Sequence, residues 1–220
     1  SDAQQRSNNP AGQLATLQKL VVHYPKKDYW AAYLGRLQRK SGFSDRFALD
    51  VMRLKLATGN LSKTEEFMEM TQLALHAGYT AEGKAIVDKG FASGALGTGA
   101  EAERHKRLRD LAEKRDAEAK ASIDQRAADA AAAKSGDDLV QIGYAYATMG
   151  QADKGASLIE QGIAKGGLKR PDDARLRLGM ALMHGGKNKA KAVQTLRSVQ
   201  GADGAADIGR AWAAIAQNGG

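Results

Sequence analysis

The stretch GYTAEGKAIVDKGFASGALG, residues 78–97, carries five glycines in twenty residues. Glycine-rich runs bind phosphates in nucleotide enzymes, but glycine also permits tight turns and close contacts between helices. A shift of 72 residues places this stretch on GQADKGASLIEQGIAKGGLK, residues 150–169, with four glycines and a leucine in register. Because the same spacing recurs, the glycines indicate a structural repeat.

The repeat has a period of 36 residues, and the shift of 72 residues corresponds to two repeats. The residues GYA at 143–145 fall on GMA at 179–181, and Gly150 falls on Gly186. A unit of this length holds two helices of about 14 residues with short connections. The chain is therefore predicted to consist of stacked helix pairs.

The copy around Gly150 predicts the bounds of one pair. Asp137 or Asp138 is expected to cap the first helix, which runs to Met149. Gly150 is expected to take the left-handed conformation that ends this helix. The second helix is predicted over residues 152–165.

Two glycines inside the predicted second helix lie on one face. Gly155 and Gly162 are seven residues apart, and Gly83 and Gly90 occupy the same positions in the earlier copy. Glycine there lets a neighbouring helix approach closely, despite its cost of about 1 kcal/mol in a helix. The intervening copy lacks these glycines, so either a turn survives at residues 113–116 or its two helices fuse.

The composition favours an all-α fold. Long stretches rich in Ala, Lys, Arg, Glu and Leu suit helices, and the alternating patterns typical of strands are missing. The chain has no cysteine, which excludes disulfides and thiolate metal sites. No apolar run approaches the roughly 20 residues of a membrane span. Residues 1–9 are polar and are expected to form a disordered tail or a cloning remnant.

The formal charge of +8 raises the possibility of nucleic-acid binding. The densest basic stretch, RHKRLRDLAEKRD at residues 104–116, contains acids at helical i,i+3 and i,i+4 spacing. That arrangement is typical of a solvated helix face, and it lacks the aromatic residues of a single-strand binder. A nucleic-acid-binding helical-repeat protein remains the alternative hypothesis.

The sequence offers no catalytic or nucleotide-binding pattern. Neither phosphate-loop order occurs, and the nearest approach, HGGKNK at residues 184–189, lacks the first glycine and the final Ser or Thr. The four histidines form no i,i+4 pair and no H-E-x-x-H. The chain is therefore predicted to be non-enzymatic, with no cofactor and no metal.

The pattern resembles the tetratricopeptide repeat (TPR) family, whose motif combines Gly and a large residue in the first helix with a Gly turn and small residues in the second. The best copy matches this motif at Gly143, Tyr146, Gly150, Gly155, Ile159 and Gly162. The resemblance implies a right-handed superhelical solenoid of about five to six antiparallel helix pairs. It also implies a scaffold that binds a peptide or protein partner in its concave groove.

The resemblance covers roughly residues 13–217 and implies a single domain at residues 10–217. Its predicted units are residues 26–60, 61–97, 98–135, 136–170 and 171–201, with a terminal helix at 203–217. The segments YPKKDYW and GGLKRPDDARLRLGMAL resemble a bacterial TPR group that is often periplasmic. This implies a periplasmic location, with the cytoplasm as the alternative.

The groove positions of the family map onto the first helix of each pair. The residues expected to contact the partner are Glu65, Met68, Gln72, His76, Arg104, Tyr144, Thr148, Asp173, Met180, Met183 and His184. Unbranched methionine suits an adaptable peptide groove, although it also serves in packing. A mixed apolar and acidic groove favours a peptide with some positive charge. The partner's identity and the oligomeric state stay open.

Overall fold

The computed structural model describes residues 9–219 and contains eleven α-helices, one 3₁₀ turn and no strand within that range. The all-α prediction is confirmed for this part of the chain. The helices are α1 (Pro10–His23), α2 (Lys27–Leu37), α3 (Ala48–Ala57), α4 (Thr64–His76), α5 (Thr80–Ala92), α6 (Ala102–Ala132), α7 (Asp137–Thr148), α8 (Ala152–Lys165), α9 (Pro171–Gly185), α10 (Lys189–Arg197) and α11 (Ala205–Asn218). The 3₁₀ turn, Asp45–Phe47, leads into α3.

The predicted tail at residues 1–9 lies outside the described residues except for Asn9. The side chain of Asn9 accepts a hydrogen bond from the backbone N–H of Gly12 at 2.8 Å and caps α1. Pro10 follows at the first helical position, where a missing N–H costs nothing.

The repeated glycines end helices as the sequence predicts. Gly78 and Gly150 have φ of 80° and 85° just after α4 and α7, and Gly94 and Gly166 have φ of 74° and 77° just after α5 and α8. Other residues rarely adopt this left-handed conformation, so glycine is needed at each of these turns. The 72-residue spacing therefore records where helices stop.

The in-helix glycines bring α7 and α8 into backbone contact. A Cβ placed on Gly155 would lie 2.4 Å from the carbonyl oxygen of Gly143, and one on Gly162 would lie 2.6 Å from that of Gly136. At the equivalent positions Gly83 and Gly90, the atoms nearest to an added Cβ belong to the side chains of Leu75 and Leu96. The predicted close approach is confirmed, and it is tighter in this second copy.

The prediction that an aspartate caps α7 is wrong. The helix begins at Asp137 itself, with Gly136 as its N-cap residue and no side-chain cap. The carboxylate of Asp137 instead accepts hydrogen bonds from the Ser135 hydroxyl at 3.0 Å and from the Lys169 N–H at 3.2 Å. It fastens the start of α7 to the segment that follows α8.

The intervening copy of the repeat, predicted at residues 98–135, forms one uninterrupted helix of 31 residues, α6. No glycine or proline interrupts it, and its Ala, Glu, Lys and Arg residues favour helix throughout. Its buried residues recur every three, four or seven positions: His105, Leu108, Ala112, Asp116, Ala119, Ile123 and Ala130. This stripe packs on α4, α5 and α7. The two helices predicted around residue 114 are therefore fused.

Helices that are distant in sequence also meet. The last helix, α11, packs against α1 and α3 as well as against its neighbours α9 and α10. Each remaining helix packs on those adjacent to it in the chain. The N-terminal and C-terminal ends of the helical array are thus in contact, and side chains of α3, α5, α7 and α9 converge between them. None of the helices in the described range is long and apolar enough to cross a bilayer.

Candidate functional site

A cluster of four charged side chains lies where α3, α5 and α9 converge. Arg53 donates to Asp50 at 2.9 Å and forms a two-pronged pair with Glu82 at 2.6 and 2.7 Å. Arg177 forms a second two-pronged pair with Asp50, one bond of which measures 2.8 Å. Asp50 is fully buried and Arg53 is 4% exposed. The two guanidinium and two carboxylate groups together carry no net charge.

Two tyrosines enclose this cluster. Tyr79 and Tyr144 meet edge to face with ring centroids 4.9 Å apart. The guanidinium carbon of Arg53 lies 5.1 Å from the Tyr79 ring and 5.0 Å from the Tyr144 ring, and that of Arg177 lies 5.3 Å from the Tyr144 ring. Stacking on the rings and pairing with carboxylates replace the water that these cations lose on burial.

The ionisation of the cluster favours its charged form. Burial alone would raise the pKa of Asp50, but Arg177 and Arg53 outweigh that effect and hold this pKa below its usual value. Burial alone would likewise lower the pKa of Arg177, but Asp50 raises it above its ordinary value. Burial raises the pKa of the Tyr144 hydroxyl. The ion pairs of the cluster therefore join α3, α5 and α9.

A second set of polar contacts joins the same two ends of the chain nearer the surface. Arg46 bonds Asp173 at 3.0 Å and Asp203 at 2.6 Å. Lys40 reaches the buried carboxylate of Asp207 at 2.6 Å. These pairs connect the segment between α2 and α3 with the starts of α9 and α11.

A cavity of about 210 Å³ lies between α9 and α11 and is lined by Met180, Met183, His184 and Trp212. Met180 is buried, Met183 and Trp212 are half-buried, and His184 is exposed at the rim. The indole Nε1 of Trp212 is buried and has no acceptor among the described residues. The Tyr144 hydroxyl is also buried and has no hydrogen-bond partner among the described residues. Such orphaned groups are uncommon in native proteins.

The His184 ring faces inward although the residue keeps exposed surface. Its centroid lies 6.2 Å from the Tyr144 ring, tilted by 64°. Burial of the imidazole lowers its pKa below the usual value, while Glu82 acts in the opposite direction and Arg53 adds to the lowering. The surroundings of the ring therefore favour its uncharged form.

The residues predicted to contact a partner are distributed over several environments. Glu65, Gln72, His76, Arg104 and His184 are exposed; Thr148, Asp173 and Met183 are half-buried; Met68, Tyr144 and Met180 are buried. The structure brings only Met180, Met183 and His184 together around a cavity. Tyr144 contacts the charged cluster, and in this arrangement it presents no surface to a partner. Asp173 is engaged by Arg46.

Several basic side chains of α6 are paired with acids. Lys120 bonds the buried Asp116 at 2.7 Å one turn earlier, and Arg109 bonds Asp88 of α5 at 2.7 Å. Arg104 lies 3.3 Å from Glu101. This is the pairing expected of a solvated helix face.

The charged cluster and Trp212 are not among the residues predicted from the sequence. A signal for the cluster was present, because Asp50 and Arg53 stand i,i+3 within ALDVMRLKLA, where six consecutive residues are buried. Charged side chains inside such an apolar run are retained only when they pair. No comparable signal marks Trp212, whose role depends on α11 packing beside α9.

Comparisons with protein-family models, with curated proteins and with solved structures found no match. Among the described residues, no group of three or more His, Asp or Glu side chains could hold a metal ion, and the chain has no cysteine. The assignment of function therefore depends on the geometry of the chain itself.

Proposed function

We propose that the protein is a non-enzymatic helical-repeat scaffold that binds a peptide or protein partner. In this proposal the helices form a solenoid of about five to six antiparallel pairs, as the resemblance to TPR proteins implies. An array of packed helices presents an extended, preorganised surface, which lowers the entropic cost of binding.

One observation carries the proposal. Three of the four residues that line the cavity between α9 and α11, namely Met180, Met183 and His184, are among the partner contacts that the resemblance to TPR proteins implies. The fourth is Trp212, and tryptophan is among the residues most enriched where binding energy concentrates. The cavity is several times larger than the roughly 30 Å³ that one water occupies, so it has room for an apolar side chain.

The chemistry of the lining suits a peptide anchor. Two flexible thioether side chains adapt to the shape of an entering aliphatic or aromatic side chain. The unpaired indole N–H of Trp212 needs an acceptor, which the backbone carbonyl of a bound peptide supplies. The partner is therefore a segment with one apolar anchor residue and an accessible backbone.

Selection from a displayed random-peptide library tests this proposal. The wild-type protein is the bait, and Met183→Glu, which places a charge at the half-buried rim of the cavity, is the counter-selection bait. Leu111→Glu is the matched control, because it adds the same charge at an exposed leucine of α6 that lies away from the cavity. Circular dichroism checks that both variants keep the helical content of the wild type.

The enriched peptides are expected to share an apolar residue and to bind the wild type and Leu111→Glu alike. Binding is expected to change Trp212 fluorescence, a change absent from Trp212→Phe. Peptides that bind Met183→Glu as well as they bind the wild type would refute the cavity as the partner site.

A further inference from the structure

The cavity between α9 and α11 gathers the soft donor atoms of one helix. Met180 and His184 are four residues apart on α9, and Met180 and Met183 are three apart. Side chains at these spacings start about 5–6 Å apart on a helix surface, the same relationship that lets i,i+4 pairs chelate metals. Both thioethers are on flexible chains, so two sulfurs and one imidazole nitrogen can converge on one ion.

The type of donor selects the type of metal. Thioether sulfur is a soft ligand that favours Cu(I), and imidazole also binds copper. Carboxylate oxygens, which would favour Mg²⁺ or Ca²⁺, do not line this cavity. The indole of Trp212 forms the remaining wall, and the face of an indole attracts cations.

The charges near the cavity do not exclude a monovalent cation. Arg177 contacts the sulfur of Met180 at 3.4 Å, which alone would repel a cation. Asp50 pairs with Arg177 through both carboxylate oxygens, and Glu82 pairs with Arg53 in the same way. The thioether also has a second lone pair. The His184 side chain lines the cavity beside Met180 and Met183, and its imidazole offers the third donor atom there.

From these observations we propose that the cavity is a binding site for Cu(I), ligated by the thioethers of Met180 and Met183 and by an imidazole nitrogen of His184, with the indole of Trp212 covering the ion. This activity goes beyond partner binding and does not depend on it. A bound ion and an apolar peptide anchor would occupy the same space, so each would displace the other.

Competition for Cu(I) under nitrogen tests the site. The purified full chain is titrated into the coloured Cu(I)–bicinchoninate complex, and the loss of colour measures transfer of the ion to the protein. The chain has no cysteine, so no thiolate contributes a background. The test variants are Met183→Leu and His184→Gln, and the matched control is Met149→Leu, a half-buried methionine at the end of α7. Leucine conserves the volume of methionine, so the two leucine variants keep the fold, and His184→Gln replaces an exposed side chain.

We expect one Cu(I) per chain, with quenching of fluorescence that is absent in Trp212→Phe. Loss of a ligand should weaken the affinity about 10-fold or more in Met183→Leu and in His184→Gln, and Met149→Leu should bind as the wild type does. The proposal is overturned if no Cu(I) transfers, if both cavity variants bind it as tightly as the wild type, or if Zn²⁺ binds the same site equally well. No peptide enters the experiment, so its outcome is independent of the partner-binding test.

Discussion

Replacement of Gly155 by alanine tests the claim that glycines set the distance between α7 and α8. The new Cβ would lie 2.4 Å from the carbonyl oxygen of Gly143, 2.8 Å from the backbone nitrogen of Ala147 and 3.1 Å from its Cβ. Two of these three atoms belong to the backbone of α7 and cannot rotate away. The helices must therefore separate to admit one methyl group.

Two opposing effects set the magnitude. Alanine is favoured over glycine inside a helix by about 1 kcal/mol. Overpacking of a tight contact costs about 1–3 kcal/mol, and contacts with the backbone of α7 place Gly155→Ala near the upper end of that range. The net loss of unfolding free energy is therefore about 2 kcal/mol. In a domain of this size it corresponds to a fall in Tm of roughly 4–8 °C.

Gly35→Ala is the matched control. Gly35 also lies inside a helix, α2, but the nearest atom to an added Cβ is the flexible end of Arg39 at 3.8 Å. Here the helix propensity acts alone, so stability should rise by about 0.5–1 kcal/mol. Gly83→Ala, which meets the movable side chain of Leu75 at 2.9 Å, should fall between the other two.

Thermal and urea unfolding followed by far-UV circular dichroism measure all three variants against the wild type. The order expected is Gly35→Ala above the wild type, then Gly83→Ala, then Gly155→Ala. If Gly155→Ala stabilises the protein as Gly35→Ala does, the close backbone contact is absent and the glycine repeat needs another explanation.

Three further outcomes are expected. Arg177→Met should lower the unfolding free energy by about 3 kcal/mol in urea titrations, because it leaves the buried Asp50 with one cation fewer. The matched control is Arg175→Met, which removes a half-exposed arginine on the same helix and should cost less than about 1 kcal/mol. Burial opposes the ionisation of Asp50, but its arginine partners outweigh burial and lower the pKa of this carboxyl group in the folded state. The ion pairs of Asp50 therefore stabilise the fold fully above the unfolded carboxyl pKa of about 3.9. This stabilisation is lost as the pH falls through the lowered pKa of the folded state. The urea midpoint should accordingly fall on acidification below about pH 4, and less steeply in Asp50→Asn; equal slopes would contradict the assignment. Because Arg109 and Lys120 are paired with acids, titration of the protein into a labelled single-stranded oligonucleotide at low salt should give no saturable change in fluorescence anisotropy. Saturable binding that weakens with added salt would instead support the nucleic-acid alternative.

The local features of the fold were predictable from the sequence because they depend on few residues. A left-handed turn after a helix requires glycine, so the positions of Gly78 and Gly150 mark helix ends without knowledge of the rest of the chain. The glycines inside α8 predicted the face of the close contact because only a residue without a Cβ lets the backbone of another helix approach so closely. The aspartate cap failed because Asp137 makes its contacts with Lys169, a partner 32 residues away.

The candidate site was only partly predictable, because it depends on which helices meet. The groove positions that the resemblance to TPR proteins implies include Met180, Met183 and His184 on one helix, and α11 completes the cavity with Trp212. The same positions also include Tyr144, which is buried against Arg53, Arg177 and Tyr79. Periodicity gives the face of a helix, but only tertiary contact decides whether that face meets solvent.

The contact between the two ends of the array also orders the events of folding. The ion pairs that join them span 127 to 167 residues of chain, whereas paired helices meet across a single turn. Closing a loop of about 150 residues costs roughly 2 kcal/mol more entropy than closing one of about 20, so helix pairs form first and the ends meet last. On the ribosome, Asp50 emerges 127 residues ahead of Arg177. Until α9 has been synthesised, Asp50 of the nascent chain has Arg53 but not Arg177 as a partner. Over that interval the first helix pairs depend on local contacts alone.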